Sequence, residues 1–157
     1  ATGAFEEPAG RAHVAFIVLH PTSNFMGHYL ISPLADRGMC CLGLNTRDAG
    51  NDSQLIMERV IQDLGAGVAW LRERGYAKVI LIGNSGGGSV AAFYAAECED
   101  LSADSTPAGD PTGLVAGDLP PVDGIVLCAA HPGRSRVFAA WLDPSVISRA
   151  SPYSPRS

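Results

Sequence analysis

Ser85 stands in Gly83-Asn84-Ser85-Gly86-Gly87, a Gly-x-Ser-x-Gly pattern between the apolar run at 79–82 and the alanine-rich stretch at 90–97. A serine held at a sharp strand-to-helix turn, a nucleophile elbow, exposes its hydroxyl for attack on an acyl carbon. Glycine at 83 and 87 removes side chains that would collide with the neighbouring strand or helix. The helix that follows directs its free N–H groups at the serine, where negative charge would develop. With 18 glycines in the chain, composition alone supplies about 0.2 such patterns by chance, so the strand-to-helix setting carries the reading.

Other glycine-rich turns meet fewer of their own requirements. A dinucleotide fingerprint fits only as Gly86-x-Gly88-x-x-Ala91, which begins too late after the strand. Its ribose-binding acid has no natural donor, because Glu97, Glu99 and Asp100 close a helix instead of ending a second strand. The phosphate loop fails where Gly83-x-x-x-x-Gly88 is followed by Ser89 in place of Lys. A nucleotide-binding module on the Gly86–Gly88 turn is the weaker alternative.

The elements around the serine alternate strand and helix. Residues 14–19 form a continuous apolar run with β-branched members, the signature of a strand buried on both faces. The turn-rich loop at 20–27 follows, then a helix predicted over 28–37 and ended by Gly38. A second strand is predicted over 39–44, with a polar loop at 45–53. The clearest helix comes next, capped by Asp52 or Ser53 and closed by Gly75. Its apolar face is Ile56, Met57, Val60, Ile61, Leu64, Val68 and Leu71, and Glu58, Arg59, Asp63, Arg72 and Glu73 cover the outer side. Gly65 and Gly67 weaken it, which close packing on a sheet would explain. A strand over 77–82 leads into the elbow and its helix, which runs to about Cys98. Residues 99–121 read as a mobile surface insertion, 123–130 as the fourth strand, and 137–142 as a short helix.

This order implies an α/β fold, a doubly wound and mostly parallel sheet with helices on both faces. Residues 1–142 form the domain and 143–157 a disordered tail. Ligands bind beyond the carboxyl ends of such strands, the edge that gathers His20, Asn45, Ser85 and His131.

Composition narrows the function. The formal charge is −5 and the 11 basic residues form no cluster, which argues against nucleic-acid or anionic-membrane partners. No apolar run approaches the roughly 18 residues of a membrane span, and the first residues lack a signal-peptide pattern. Cys40, Cys41, Cys98 and Cys128 have no zinc or redox spacing and read as free thiols of a cytoplasmic protein. No metal or other cofactor is expected, and oligomeric state is not legible.

Together these residues resemble the α/β-hydrolase family over about 14–142. Gly83-Asn84-Ser85-Gly86-Gly87 is the strongest part, and His20-Pro21 supports it. The resemblance implies a serine esterase, lipase or thioesterase acting on a small-molecule acyl substrate. Ser85 is then the nucleophile that forms an acyl-enzyme, and Gly86 N–H is one oxyanion donor. The second donor comes from the loop after the first strand. Pro21 has no N–H, so Thr22 is preferred, with Ser23 in reserve.

Three features depart from the family. Only His131 follows Ser85, at the end of the very next strand, and no later strands carry an acid or a catalytic histidine. The chain opens next to its first strand, where members begin with an antiparallel pair. The expectation is therefore a partial hydrolase chain, poorly active alone, or an inactive fold unit that needs a partner chain. His20 and His131 are rim residues, His20 shaping its loop and His131 able to approach Ser85. His13 reads as surface and His28 as a helix cap. Asp48 and Asp52 read as loop and capping groups, Arg47 as a solvated loop arginine able to meet an acidic substrate. Phe25, Met26 and Tyr29 are candidate pocket walls.

Overall fold

The computed structural model describes residues 1–8, 12–134 and 137–138. Five strands form one mixed sheet in the order β1-β3-β2-β4-β5. They are β1 (Thr2–Glu6), β2 (Val14–His20), β3 (Cys40–Asn45), β4 (Lys78–Asn84) and β5 (Gly124–Cys128). The last four run parallel, whereas β1 pairs antiparallel with β3. The sheet is thus mostly parallel, of α/β class.

Each strand sits within two residues of its predicted bounds except β1, which the sequence does not announce. Its Thr-Gly-Ala-Phe-Glu lacks a β-branched run, so pairing and packing decide its state. Phe5 meets Trp70 edge-on at 4.8 Å, and the Tyr76 hydroxyl bonds Glu7 just beyond the strand. An antiparallel strand therefore does precede β2 along the chain.

Helices cover both faces. On one, α2 (Met57–Glu73) and α3 (Gly87–Glu97) pack Val60, Ile61, Leu64, Val90 and Tyr94 over Ile17, Leu19, Val79 and Leu81. On the other, the short α1 (Ile31–Ala35) packs Ile31 over Val18, Cys41 and Ile82. Central strands buried from both sides need apolar residues at successive positions, the reason for the unbroken runs in β2 and β4. At β5 the cover thins, and Ile125, Val126 and Leu127 are exposed.

Several local expectations are corrected. The helix predicted at 28–37 is only Ile31–Ala35, because His28 uses its Nδ1 to accept the Leu30 N–H in a turn. Neither Asp52 nor Ser53 caps α2. Asn51 caps a 3₁₀ turn at Asp52–Gln54, and α2 starts at Met57 without a side-chain cap. Glu58 and Asp63, read as outer residues, are buried. Asp63 is drawn in by Arg47, whose guanidinium and backbone N–H both reach its carboxylate at 2.7 Å.

Gly65 makes room for the backbone of Asp118, not for the sheet, since any Cβ there would collide with that carbonyl. The 99–121 segment is anchored at several points. The Tyr94 hydroxyl donates to Pro120 O at 2.7 Å, and Glu97 accepts the N–H groups of Ser102 and Ala103. Leu119 is 2% exposed in the core. The helix expected at 137–142, Val137 and Phe138 apart, and the tail from 143 lie outside the described residues. Among the described residues no helix is long and apolar enough to cross a membrane.

Candidate active site

The backbone bends sharply where β4 ends. Ser85 has φ of 53°, a left-handed conformation that costs an L-residue about 1–2 kcal/mol. Its N–H donates to Cys128 O at 2.9 Å, and its carbonyl accepts the Gly88 N–H at 3.1 Å. Those bonds clamp the turn between β5 and the start of α3 and leave the residue exposed. A Cβ on Gly83 would run into the Gly87 carbonyl, and one on Gly87 into the Leu19 carbonyl. Helix α3 can therefore begin directly against the ends of β2 and β4 only with glycine at both places. Ala129, in the neighbouring chain turn after β5, also has positive φ, 47°. Strained non-glycine residues of this kind persist where surrounding structure over-determines them, and they cluster at functional sites.

Beside the elbow lies the loop after β2. His20 pairs with Asn45 in the sheet, and its Nδ1 accepts the N–H groups of Thr22 at 3.1 Å and Ser23 at 2.9 Å. Further bonds hold the loop in place: the Thr46 hydroxyl donates to Pro21 O at 2.6 Å, and Asn45 Oδ1 accepts the Phe25 N–H at 2.7 Å. The backbone donors expected at Thr22 and Ser23 thus point at the His20 ring. Burial, then the nearby Arg134, push the His20 pKa below its ordinary value, Asp52 opposing, which favours the neutral ring.

His131 comes to the same place from β5. An ideal Cβ on Gly86 would lie 3.1 Å from His20 Nε2 and 3.6 Å from His131 Nε2, so both rings converge on the residue after Ser85. His131 Nδ1 accepts the Gly133 N–H at 3.2 Å.

A cavity of about 950 Å³ opens from Ser85 and Gly86. Leu55, Ile56, Met57 and Phe93 give it apolar walls. Across its rim Arg134 pairs with Asp52 at 2.5 Å. The Thr22 hydroxyl and Arg134 hold the Asp52 carboxyl below its ordinary range.

Ser85, Gly86, His20 and His131 are therefore brought together, with Gly83 and Gly87 shaping the turn and Thr22 behind His20. Arg47 faces Asp63 and does not line the cavity. Neither do Phe25, Met26 and Tyr29; the Phe25 ring lies tilted against those of His20 and His28. Asp48 is buried among Asp63 and Arg47, away from Ser85. His28 Nε2 lies 3.3 Å from the Asn84 amide, beneath the elbow.

The walls at Leu55–Met57 and the Asp52–Arg134 pair were not legible as site residues. A signal existed for Ser89 and Phe93, which lie four positions apart near the start of α3 and so share one of its faces. Among the described residues no group of three or more His, Cys, Asp or Glu could hold a metal ion. No protein-family model matches the chain, and no curated protein matches it either.

Proposed function

We propose that this chain is a serine hydrolase domain of α/β-hydrolase type, in which Ser85 accepts the acyl group of a carboxylic ester or thioester. One observation carries the reading: Ser85 is exposed in a left-handed conformation at the carboxyl edge of a parallel sheet, at the mouth of an apolar cavity. Attack by Ser85 Oγ forms a bond to the acyl carbon and moves the carbonyl π pair onto oxygen. The alcohol or thiol then leaves, and water hydrolyses the ester at Ser85. Among the described residues the Gly86 N–H has no hydrogen-bond partner and faces the developing oxyanion from the start of α3. Leu55, Ile56, Met57 and Phe93 favour a substrate with an apolar body. The phosphate-binding alternative finds less support, because the Gly86–Gly88 turn packs on protein, with Gly87 against Leu19 and Gly88 against Ala130.

A second reading is a fold unit that needs another chain for activity. The exposed Ile125, Val126 and Leu127 of β5 favour it. An alkyl fluorophosphonate and p-nitrophenyl esters test both. Covalent mass gain and ester turnover in the full chain, both lost in Ser85→Ala, support the hydrolase. Mass gain without turnover supports the unit that needs a partner, and no modification of Ser85 rejects the nucleophile.

A further inference from the structure

The loop that follows β2 runs beside the elbow, but its first residues, 21–23, aim no backbone N–H at it. Pro21 has none to offer, and the N–H groups of Thr22 and Ser23 are both engaged by His20 Nδ1, at 3.1 and 2.9 Å. Those bonds settle the ring's tautomer. A nitrogen accepting two N–H bonds is unprotonated, so the neutral imidazole carries its proton on Nε2.

That Nε2 is the atom nearest to where a Gly86 side chain would begin, at 3.1 Å. Among the described residues no group accepts a hydrogen bond from it. The ring is held from several sides: by the strand pairing of His20 with Asn45, by Phe25 with ring centroids 5.7 Å apart, and by its two backbone donors. Two N–H dipoles directed at Nδ1 draw electron density from the ring, which makes Nε2–H a stronger donor.

We propose that His20, through Nε2–H, is a catalytic residue that completes the oxyanion site of Ser85 together with the Gly86 N–H, replacing the backbone donor that the loop lacks. The assignment rests on Ser85 as nucleophile. When Ser85 Oγ attacks, the carbonyl π pair moves to the acyl oxygen, whose negative charge is then met by both N–H groups. The Ser85 proton passes to a solvent base, water or hydroxide. His20 takes no proton and gives none away. Its action resembles that of other neutral imidazoles that polarise a carbonyl, and a donor so placed contributes about 10²–10³-fold to rate.

The rate at which an alkyl fluorophosphonate modifies the full chain tests this. In that step the Oγ–P bond forms, P–F breaks, fluoride leaves and a solvent base takes the proton, while the P=O oxygen occupies the oxyanion position. His20→Asn keeps an oxygen able to accept the Thr22 and Ser23 N–H groups but has no donor reaching the elbow. It is expected to slow modification of Ser85 about 10²–10³-fold, while His20→Gln, whose longer amide restores a donor, recovers at least part of the loss. Equal rates in wild type and His20→Asn, with Ser85 modified in both, overturn the His20 assignment and leave the nucleophile standing. A wild-type chain whose Ser85 stays unmodified rejects the nucleophile itself.

Should His20→Asn fail to fold, nitrogen-15 and proton NMR of the wild-type imidazole decides. Protonated Nε2, with its proton moving downfield on phosphonylation, supports the proposal. Protonated Nδ1, or an unmoved Nε2 proton, rejects it.

Discussion

The two ends of β4 treat their polar groups in opposite ways. At the amino end a buried backbone donor and a cluster of carbonyls are paired. Asp123 accepts the Val79 N–H at 2.8 Å and the Arg72 guanidinium at 2.7 Å, and Arg72 also reaches the carbonyls of Tyr76, Ala77 and Pro121. At the carboxyl end the chain turns through an exposed, left-handed serine, and among the described residues the Gly86 N–H has no hydrogen-bond partner. One end is built to hold, and the other is where the proposed chemistry lies. On that reading the same strand separates stability from chemistry by its own length.

Breaking the packing at the carboxyl end should have the largest effect. Gly87→Val would drive a branched side chain into the Leu19 carbonyl, which can move only with β2. A loss of more than about 4 kcal/mol is expected, seen as a chain that fails to unfold cooperatively in urea. A cooperative transition near the wild-type midpoint would show that the elbow is not sterically bound to the sheet.

The holding end should answer next. Asp123→Ala leaves the Val79 N–H, on a residue 0% exposed, without its acceptor, and should cost about 2 kcal/mol in urea unfolding. The Val79 N–H and then Arg72 hold the Asp123 carboxyl below its ordinary range. Its contribution is therefore complete above about pH 4, the unfolded value, and is lost as acid titrates the folded group. Stability measured between pH 2 and 6 should fall less steeply in Asp123→Asn than in wild type. An identical slope would assign the acid sensitivity elsewhere.

The smallest effect sharpens the contrast by its sign. Ser85→Gly removes the left-handed penalty and should raise stability by about 1 kcal/mol, seen as a higher urea midpoint. A drop instead would mean that the serine side chain braces the turn.

What could be read from sequence follows how local each feature is. The Ser85 turn is legible because Gly83 and Gly87 lie within a few residues of the contacts they permit. Helix α2 is legible because its apolar face repeats along one segment. Strand β1 is not, since Thr2–Glu6 is a strand only through β3 and the Phe5–Trp70 contact, both distant along the chain. The same holds for Gly65, whose partner Asp118 comes from a segment without periodicity. At the site, His20 could be placed on the rim by strand register. Its donor face could not be known before Thr22 and Ser23 were seen to occupy the other nitrogen. Arg72 on the helix and Asp123 before β5 gave no sign in sequence that they would meet.

Cys40 and Cys41 are adjacent, yet one is sealed among the residues beneath α2 and the other among those beneath α1. Burial pushes their thiols up to about 11 and about 12, and neither is exposed at all. A thiol reagent meets each only when its own layer parts, so a single dipeptide holds two clocks. Set against each other, they would time whether the protein's halves breathe in unison or by turns.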